Sequence, residues 1–296
     1  MKKIEYLVLF FLMLLSGNAI AKQPATFTVA TYNVRLANHG DSVNGNGWGK
    51  RAPYVAKIAL FHGFDIFGTQ EGFYEQLKDL KQLMPGYEYI GVGREDGKKQ
   101  GEHSAIFYRT DKFKVLEHGD FWLSEDQTKP NLGWDAACIR VCTWGKFKEL
   151  STGLTFVYFN LHMDHKGTKA REESSKLILK KIKEMPKGTP VILSGDFNVD
   201  QFSSSYQLLN TSGIVRDAYD KATLIYEPVV GTFNGFDANN VETGRIDHIF
   251  LTDNFTVSKY GILDDTYQAA SKENGNKVET RFPSDHFAVM ITVEVK

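Results

Sequence analysis

Apolar, β-branched and aromatic runs of strand length recur from one end of the chain to the other. They are "TFTVATYNVR", "FDIFGTQ", "YEYIGVG", "HSAIFYRT", "FKVLEHGDFWLS", "CIRVCTW", "LTFVYFNLHM", "PVILSGDF", "RIDHIFLT" and "HFAVMITVEVK". Helical spacing shows between them, in "PYVAKIALFHG", "EQLKDLKQLM" and "KAREESSKLILKKIKEM". In the last, Ala170, Leu177, Ile178, Ile182 and Met185 make one apolar stripe. Strands outnumber helices, yet helices keep returning between strands. That order predicts sheets covered by helices, a layered α/β domain rather than a pure β-sandwich. A hydrophobic content of 42%, with 13% aromatics, supplies a sizeable core. No repeat or low-complexity linker divides the chain, so a single domain is expected over residues 22–296. The glycine-rich stretches "NHGDSVNGNGWGK" and "GREDGKKQGEH" read as long loops.

Several of these runs end in a small polar cluster. Asn33 ends one, Gln70 and Glu71 another, and Asn160 and His162 a third, followed by Asp164 and His165. Asp196 and Asn198 end "VILSGDFN", Asp247 and His248 interrupt "RIDHIF", and Ser284, Asp285 and His286 open the last run. Each alone reads as a turn or cap. Together they predict strand ends that converge on one cleft. Gly195 is expected to let the backbone pass close to a ligand there. Glu71, Asp196, Asp247 and Asp285 are hard oxygen donors, and Asn33 and Asn198 add amide oxygens. Such a set suits Mg²⁺ or Mn²⁺ better than zinc. His162 and His286 can donate hydrogen bonds to a phosphoryl oxygen or carry protons near neutral pH. The inventory points to hydrolysis of a phosphate ester.

The first residues, "MKKIEYLVLFFLMLLSGNAIA", have the parts of a signal peptide over residues 1–21. The apolar run is shorter than the roughly 20 residues of a spanning helix. The expectation is an exported, soluble chain without a stable membrane anchor, starting near Lys22. Removing Lys2, Lys3 and Glu5 takes 35 basic against 36 acidic residues to 33 against 35, a formal charge of −2. That balance gives no basic field for a polyanion, so nucleic acid is a possible partner but not a favoured one. On a strand, Cys138 and Cys142 would share a face about 13 Å apart. That is too far to bridge, and two buried free thiols are expected.

"TYNVR", "GTQEG", "NLHMDH", "SGDFN", "GRIDHIF" and "PSDH" occur in this order along nearly the whole chain. The ordered set resembles the endonuclease/exonuclease/phosphatase superfamily of DNase I-like phosphohydrolases, in an exported bacterial branch. The resemblance implies a four-layer α/β sandwich, two packed mixed β-sheets flanked by helices. It implies metal contacts from Glu71, Asn33 and Asp285, with Mg²⁺ or Mn²⁺ as cofactor. Asp196 would align or deprotonate the attacking water, and Asn198 would hold water or phosphate. His286, oriented by Asp247, and His162 would contact the scissile phosphate. Asp247 could instead be a core partner of Arg245, and His162 a satisfied strand-end histidine.

Arg94, Glu102, His103, Trp134 and Arg140 are candidates for the pocket rim, and Asp164, His165 and Arg171 extend the histidine tag toward substrate. Trp134 could equally be core, and Arg140 a structural ion pair. The expected partner is a phosphate ester of small-molecule, sugar, nucleotide or lipid type. A secreted nuclease, or a noncatalytic binding module of the same fold, are the alternatives.

Overall fold

The six runs that end in polar clusters all become strands. The computed structural model describes residues 24–229, 231–240, 242–271 and 277–295. The segment read as a signal peptide lies outside the described residues. In chain order the elements are β1 (Thr26–Asn33), α1 (His39–Val43), α2 (Trp48–Phe61), β2 (Ile66–Gln70), α3 (Tyr74–Leu83), β3 (Tyr87–Ile90), β4 (Ile106–Arg109) and β5 (Phe113–Trp122). Then come β6 (Val141–Glu149), β7 (Thr155–His162), α4 (Thr168–Lys183), β8 (Val191–Asp196), α5 (Ser204–Asn210), β9 (Arg216–Asp217) and α6 (Ala218–Lys221). The last are β10 (Ala222–Tyr226), β11 (Asp247–Leu251), β12 (Phe255–Leu263), β13 (Tyr267–Ala270), β14 (Val278–Arg281) and β15 (Ala288–Val295).

Two mixed sheets carry the fold. One runs β10-β12-β15-β1-β2-β4-β3, the other β5-β6-β7-β8-β11-β9, and β13 and β14 pair separately. Val55, Ala59, Leu77 and Leu80 of α2 and α3 cover the outer face of the first sheet, against Ala30, Tyr32 and Phe67. Leu177, Ile178, Ile182 and Leu209 of α4 and α5 cover the second, against Phe159, Leu193 and Phe250. Phe27, Val29, Phe147, Phe156, Tyr158, Ile192, Ile249 and Ile291 fill the space between the sheets. Each such side chain contributes roughly 1.5–3 kcal/mol on burial. The result is the four-layer sandwich expected: helices, sheet, sheet, helices.

Side chains on a strand alternate between faces, so a strand's inward row can be read every second residue. Along β1 that row is Phe27, Val29, Thr31, Asn33; along β7 it is Phe156, Tyr158, Asn160, His162. Along β8 it is Ile192, Ser194, Asp196, and β11 runs the other way, Leu251, Ile249, Asp247. The inter-sheet space therefore changes character along its length, from apolar to neutral polar to charged. In the neutral layer Gln70 Nε2 donates to Thr31 Oγ1 (3.0 Å) and to Asn160 Oδ1 (2.7 Å). Asn160 Nδ2 donates to the carbonyls of Thr69 and Ala105 (both 2.9 Å). Gln70 and Asn160, grouped by sequence with the cleft, are thus bonds between the sheets. His248 also points away, toward Asp217 (3.2 Å) and the Val199 carbonyl (3.1 Å).

Three local readings change. Helix α2 begins at Trp48, ahead of Pro53, and α1 lies inside the stretch read as loop, its N-cap Asn38 accepting from the Asp41 amide. The strand β12 was hidden because Thr256, Ser258 and Lys259 face solvent and dilute its apolar pattern. Gly195 serves the sheet rather than a ligand: a Cβ there would collide with the Leu161 carbonyl, its partner on parallel strand β7.

Candidate active site

Sheet register brings the charged row together. His162 of β7 is the cross-strand partner of Asp196 of β8, and Asp196 that of Asp247 of β11. On the facing sheet, Asn33 ends β1 beside Gln70, which places Glu71 at the same edge. Asp285 and His286 precede β15, which is antiparallel to β1 and so starts at this edge too. Asn33 is the hinge pin of the group. Its Nδ2 lies 3.0 Å from Glu71 Oε1, 3.0 Å from Asp196 Oδ2 and 3.4 Å from His286 Nε2.

Asp196 is buried, and its Oδ1 accepts from the Asn198 amide at 2.9 Å. Its Oδ2 faces His162 Nε2 at 3.4 Å and His286 Nε2 at 3.8 Å. Burial and the charge of Asp247 push the Asp196 carboxyl up to about 7. Burial opposes a charge on His286, but Asp247, bonded to Nδ1 at 2.9 Å, with Asp196 and Asp285, outweighs it and raises that ring to about 10. His286 is therefore an imidazolium at neutral pH. His162 is the opposite case: burial, then Arg140 and Arg94, lower its pKa well below the ordinary value. Asn198 Nδ2 donates to His162 Nε2 (3.0 Å), which leaves the ring proton on Nδ1, 3.7 Å from Glu102 Oε2. Burial raises the Glu102 carboxyl, against the opposing pull of Arg94.

Glu71 and Asn198 both hold left-handed backbone, at φ 66° and 51°. A non-glycine residue there is strained and is kept only where surrounding contacts fix it. The Leu36 amide donates to Glu71 Oε2 (3.1 Å), and Asn198 Nδ2 also donates to the Met163 carbonyl (2.9 Å).

The fit of a divalent cation can be judged from the donors. Glu71 and Asp285 flank the Arg35 guanidinium at 3.9 and 3.4 Å, so a positive group already sits between them. Burial raises Asp285 as it does Asp196, and one oxygen of Asp247 is buried without a hydrogen-bond partner. Oxygens of Asp196 and Asp247 and a nitrogen of His286 also fall within 4.8 Å of one another. Crowded, buried carboxylates of this kind are short of positive charge, and an oxygen-rich donor set fits Mg²⁺ or Mn²⁺.

Of these groups Glu71, His162, Asp196, Asn198, Asp285 and His286 line a cavity of about 410 Å³, within the usual range for small-molecule sites, with Asn33 and Asp247 behind them. Of the proposed rim, Arg94, Glu102, Arg140 and His165 line it. The others do not. His103 is buried behind Gly72 and Gly93, to which it is bridged. Trp134 packs against the outer core of the second sheet, as its alternative reading had it. Arg171 Nη1 is bonded to the Asp164 carbonyl (2.9 Å), and Asp164 is buried below the cavity wall. Arg35, Leu36, Cys138, Phe233 and Ile246 complete the lining without having been singled out for it. Arg35 was legible in "TYNVR", two residues past Asn33. Phe233, edge-on to His286 with centroids 5.1 Å apart, lay in a stretch without a readable pattern. Cys138 and Cys142 are both free, but Cys138 sits outside β6 and is only half-buried.

Comparison with known proteins agrees with this geometry. A solved endonuclease/exonuclease/phosphatase family protein from Bacteroides thetaiotaomicron is 52% identical, covering 93% of this chain and 99% of that one, with a TM-score of 0.90. A mannosyl-6-phosphatase from the same organism is 53% identical, covering 90% and 99%, with a TM-score of 0.87. Among curated proteins, carbon catabolite repressor protein 4 homolog 3 of Arabidopsis thaliana is 26% identical over 67% of this chain. The chain spans less than half the length of the curated relatives it matches. The family model described as "Endonuclease/Exonuclease/phosphatase family" matches residues 30–286, from the middle of β1 to His286. The chain belongs to the endonuclease/exonuclease/phosphatase family.

Proposed function

We propose that the chain is an exported, Mg²⁺- or Mn²⁺-dependent phosphoesterase that hydrolyses the phosphate monoester of a small, sugar-type molecule. The observation that carries this reading is Asp196. A buried carboxylate with a pKa near 7 stands between two histidines of opposite charge state, at the floor of a small cavity. The sugar-type substrate is supported by the 53% identity to a mannosyl-6-phosphatase along nearly the whole of that protein. Export is supported by the N-terminal sequence. Among the described residues no helix is long and apolar enough to cross a membrane.

Glu71 and Asp285, with Asn33 beside them, would hold the ion, which supplies positive charge against the phosphoryl oxygens. Asp196 takes the proton of the attacking water, and Asn33 and the Asn198 amide fix the carboxylate that does so. His286, charged because of Asp247, stabilises the negative charge that grows on the phosphoryl oxygens. His162 is assigned the proton delivered to the departing alkoxide, which requires the ring, neutral in the free protein, to become protonated at Nε2 as substrate binds. The phosphate's negative charge favours the protonated ring, and Glu102 faces its Nδ1. The reading is tested by assaying phosphate release from hexose phosphates, nucleotides and inositol phosphates, and strand cleavage of a DNA duplex, with added Mg²⁺. Preference for the DNA over every monoester would replace it with the nuclease reading.

A further inference from the structure

Asp164 follows the His162 tag by two residues, yet it lies beneath the cavity wall rather than in it. Its Oδ1 accepts from the amides of Lys166 (2.9 Å) and Gly167 (2.7 Å). Its Oδ2 accepts from the Cys138 amide at 3.0 Å, with Arg140 Nε at 3.5 Å. A single carboxylate thus ties the segment after β7 to the segment before β6. Asp135 makes a second tie a few residues away, accepting from the Lys169 and Ala170 amides at the start of α4 (3.2 and 2.6 Å). Between them these two aspartates fix the backbone of 135–140 against the entrance of the cavity.

The consequence falls on Arg140 and His165, both of which line the cavity. Arg140 is 5% exposed, and its Nη2 lies 3.1 Å from His165 Nδ1. A guanidinium has no acceptor, so His165 Nδ1 must accept and its ring proton must sit on Nε2. Among the described residues no hydrogen bond ends on Arg140 Nη1. The wall therefore offers two donors, Arg140 Nη1–H and His165 Nε2–H. Cys138, Asp164 and His165 also cluster at a spacing that could suit a metal. That use is closed here, because both Asp164 oxygens and His165 Nδ1 are already taken by donors.

We propose that Arg140 and His165 form a clamp for the leaving group, held in place by Asp164 as a positioning residue, and that it selects a neutral, hydroxyl-rich leaving group. The inference rests on the phosphomonoesterase reading above and specifies its substrate class. Charge decides between hydroxyls and a second phosphate. Arg94 is matched by Glu102 at 2.6 Å, and Arg140 by Asp164. Burial, then Arg140, keeps His165 toward its neutral form. The wall has donors but little net charge, which suits the lone pairs of sugar hydroxyls. A second phosphate would call for unmatched guanidinium groups.

The test compares kcat/KM for a hexose 6-phosphate with that for p-nitrophenyl phosphate, whose leaving group has no hydroxyls to clamp. Arg140→Met and His165→Phe should each lower the ratio of the two by about tenfold, the scale of one lost hydrogen bond to a bound group. Asp164→Asn should move the ratio the same way, mainly through KM for the hexose phosphate. Equal losses on both substrates, or none, would overturn the clamp alone. A hexose 1,6-bisphosphate preferred about tenfold over the monophosphate would overturn the neutral-wall argument. If the wild-type protein released phosphate from p-nitrophenyl phosphate but from no hexose phosphate, the underlying substrate reading would fall, and the clamp with it. A check independent of any variant is the ¹⁵N spectrum of the wild-type protein. His165 should be the Nε2–H tautomer at neutral pH, and the Nδ1–H tautomer would contradict the clamp.

Discussion

His286 Nδ1 lies 2.9 Å from Asp247 Oδ2, and the same ring turns its Nε2 to Asp196 Oδ2 at 3.8 Å. Asp247 sits at the start of β11, paired in register with Asp196 at the end of β8, so one sheet fixes the two carboxylates that the ring reaches from the facing sheet. The carboxylate that charges the imidazole and the carboxylate proposed to activate water are neighbours on adjacent strands. Their mutual repulsion contributes to raising Asp196, while Asp247 raises His286. One antiparallel pair thus sets a raised carboxyl and an imidazolium a few ångströms apart.

Asp247→Asn keeps the shape of the contact and removes the charge. It should lower kcat by about a hundredfold, the scale of a lost acid–base or charge-stabilising group. The His286 ring, now without its main charge partner, should titrate well below 10 when followed by NMR. An unchanged His286 titration in Asp247→Asn would show that Asp247 does not set the ring's charge.

His162 is assigned to the leaving oxygen, and this can be separated from a general binding role. On an alkyl phosphate, whose alkoxide must be protonated as it leaves, His162→Gln should lose about a hundredfold in kcat. On p-nitrophenyl phosphate, whose phenolate leaves without a proton, the loss should be about tenfold or less. Equal losses on both would move His162 from proton delivery to phosphate binding.

Gly195→Ala tests how the site is built. The new Cβ would meet the Leu161 carbonyl on the paired parallel strand, and backbone cannot yield as a flexible side chain can. The substitution should destabilise the fold by about 1–3 kcal/mol, seen as a lower urea midpoint. A wild-type midpoint would mean that β7 and β8 part without strain.

Asp164 predicts an acid limit on stability. Three backbone amides hold its carboxylate, against the burial that opposes the charge, well below the usual carboxylate range. A carboxylate with a depressed folded-state pKa stabilises the protein above its unfolded value of about 3.9. That contribution is lost as pH falls from there through the folded value. Thermal melts should show a steeper decline below about pH 4 in the wild type than in Asp164→Asn. Parallel curves would contradict the assignment.

Much of this site was legible because strand register is a short-range rule. Once β7, β8 and β11 are recognised, pairing places His162, Asp196 and Asp247 in one row, and their residue types name the chemistry. Gln70, Asn160 and His248 show where that reading stops. They share the strand-end pattern, but which face they take depends on alternation counted from the apolar core, and what they bond lies on the other sheet or on β9. The wall was harder still. Trp134 and His103 have side chains suited to binding, yet both pack instead, and around Trp134 the carboxylates of Asp135 and Asp164 hold the loop by bonding backbone amides no sequence pattern marks. Helices α2, α3 and α4 were visible because each carries an apolar stripe. Strand β12 was not, because the solvent-facing residues of its first half break up the apolar pattern.

The most direct test of the account is phosphate release from a hexose 6-phosphate by the metal-stripped protein, with and without added Mg²⁺, for wild type and Asp196→Asn. The account predicts no release without metal, turnover restored by Mg²⁺ in the wild type, and at least about a hundredfold less turnover in the folded Asp196→Asn variant under the same conditions. Full wild-type activity in chelator, or full activity in Asp196→Asn, would contradict it.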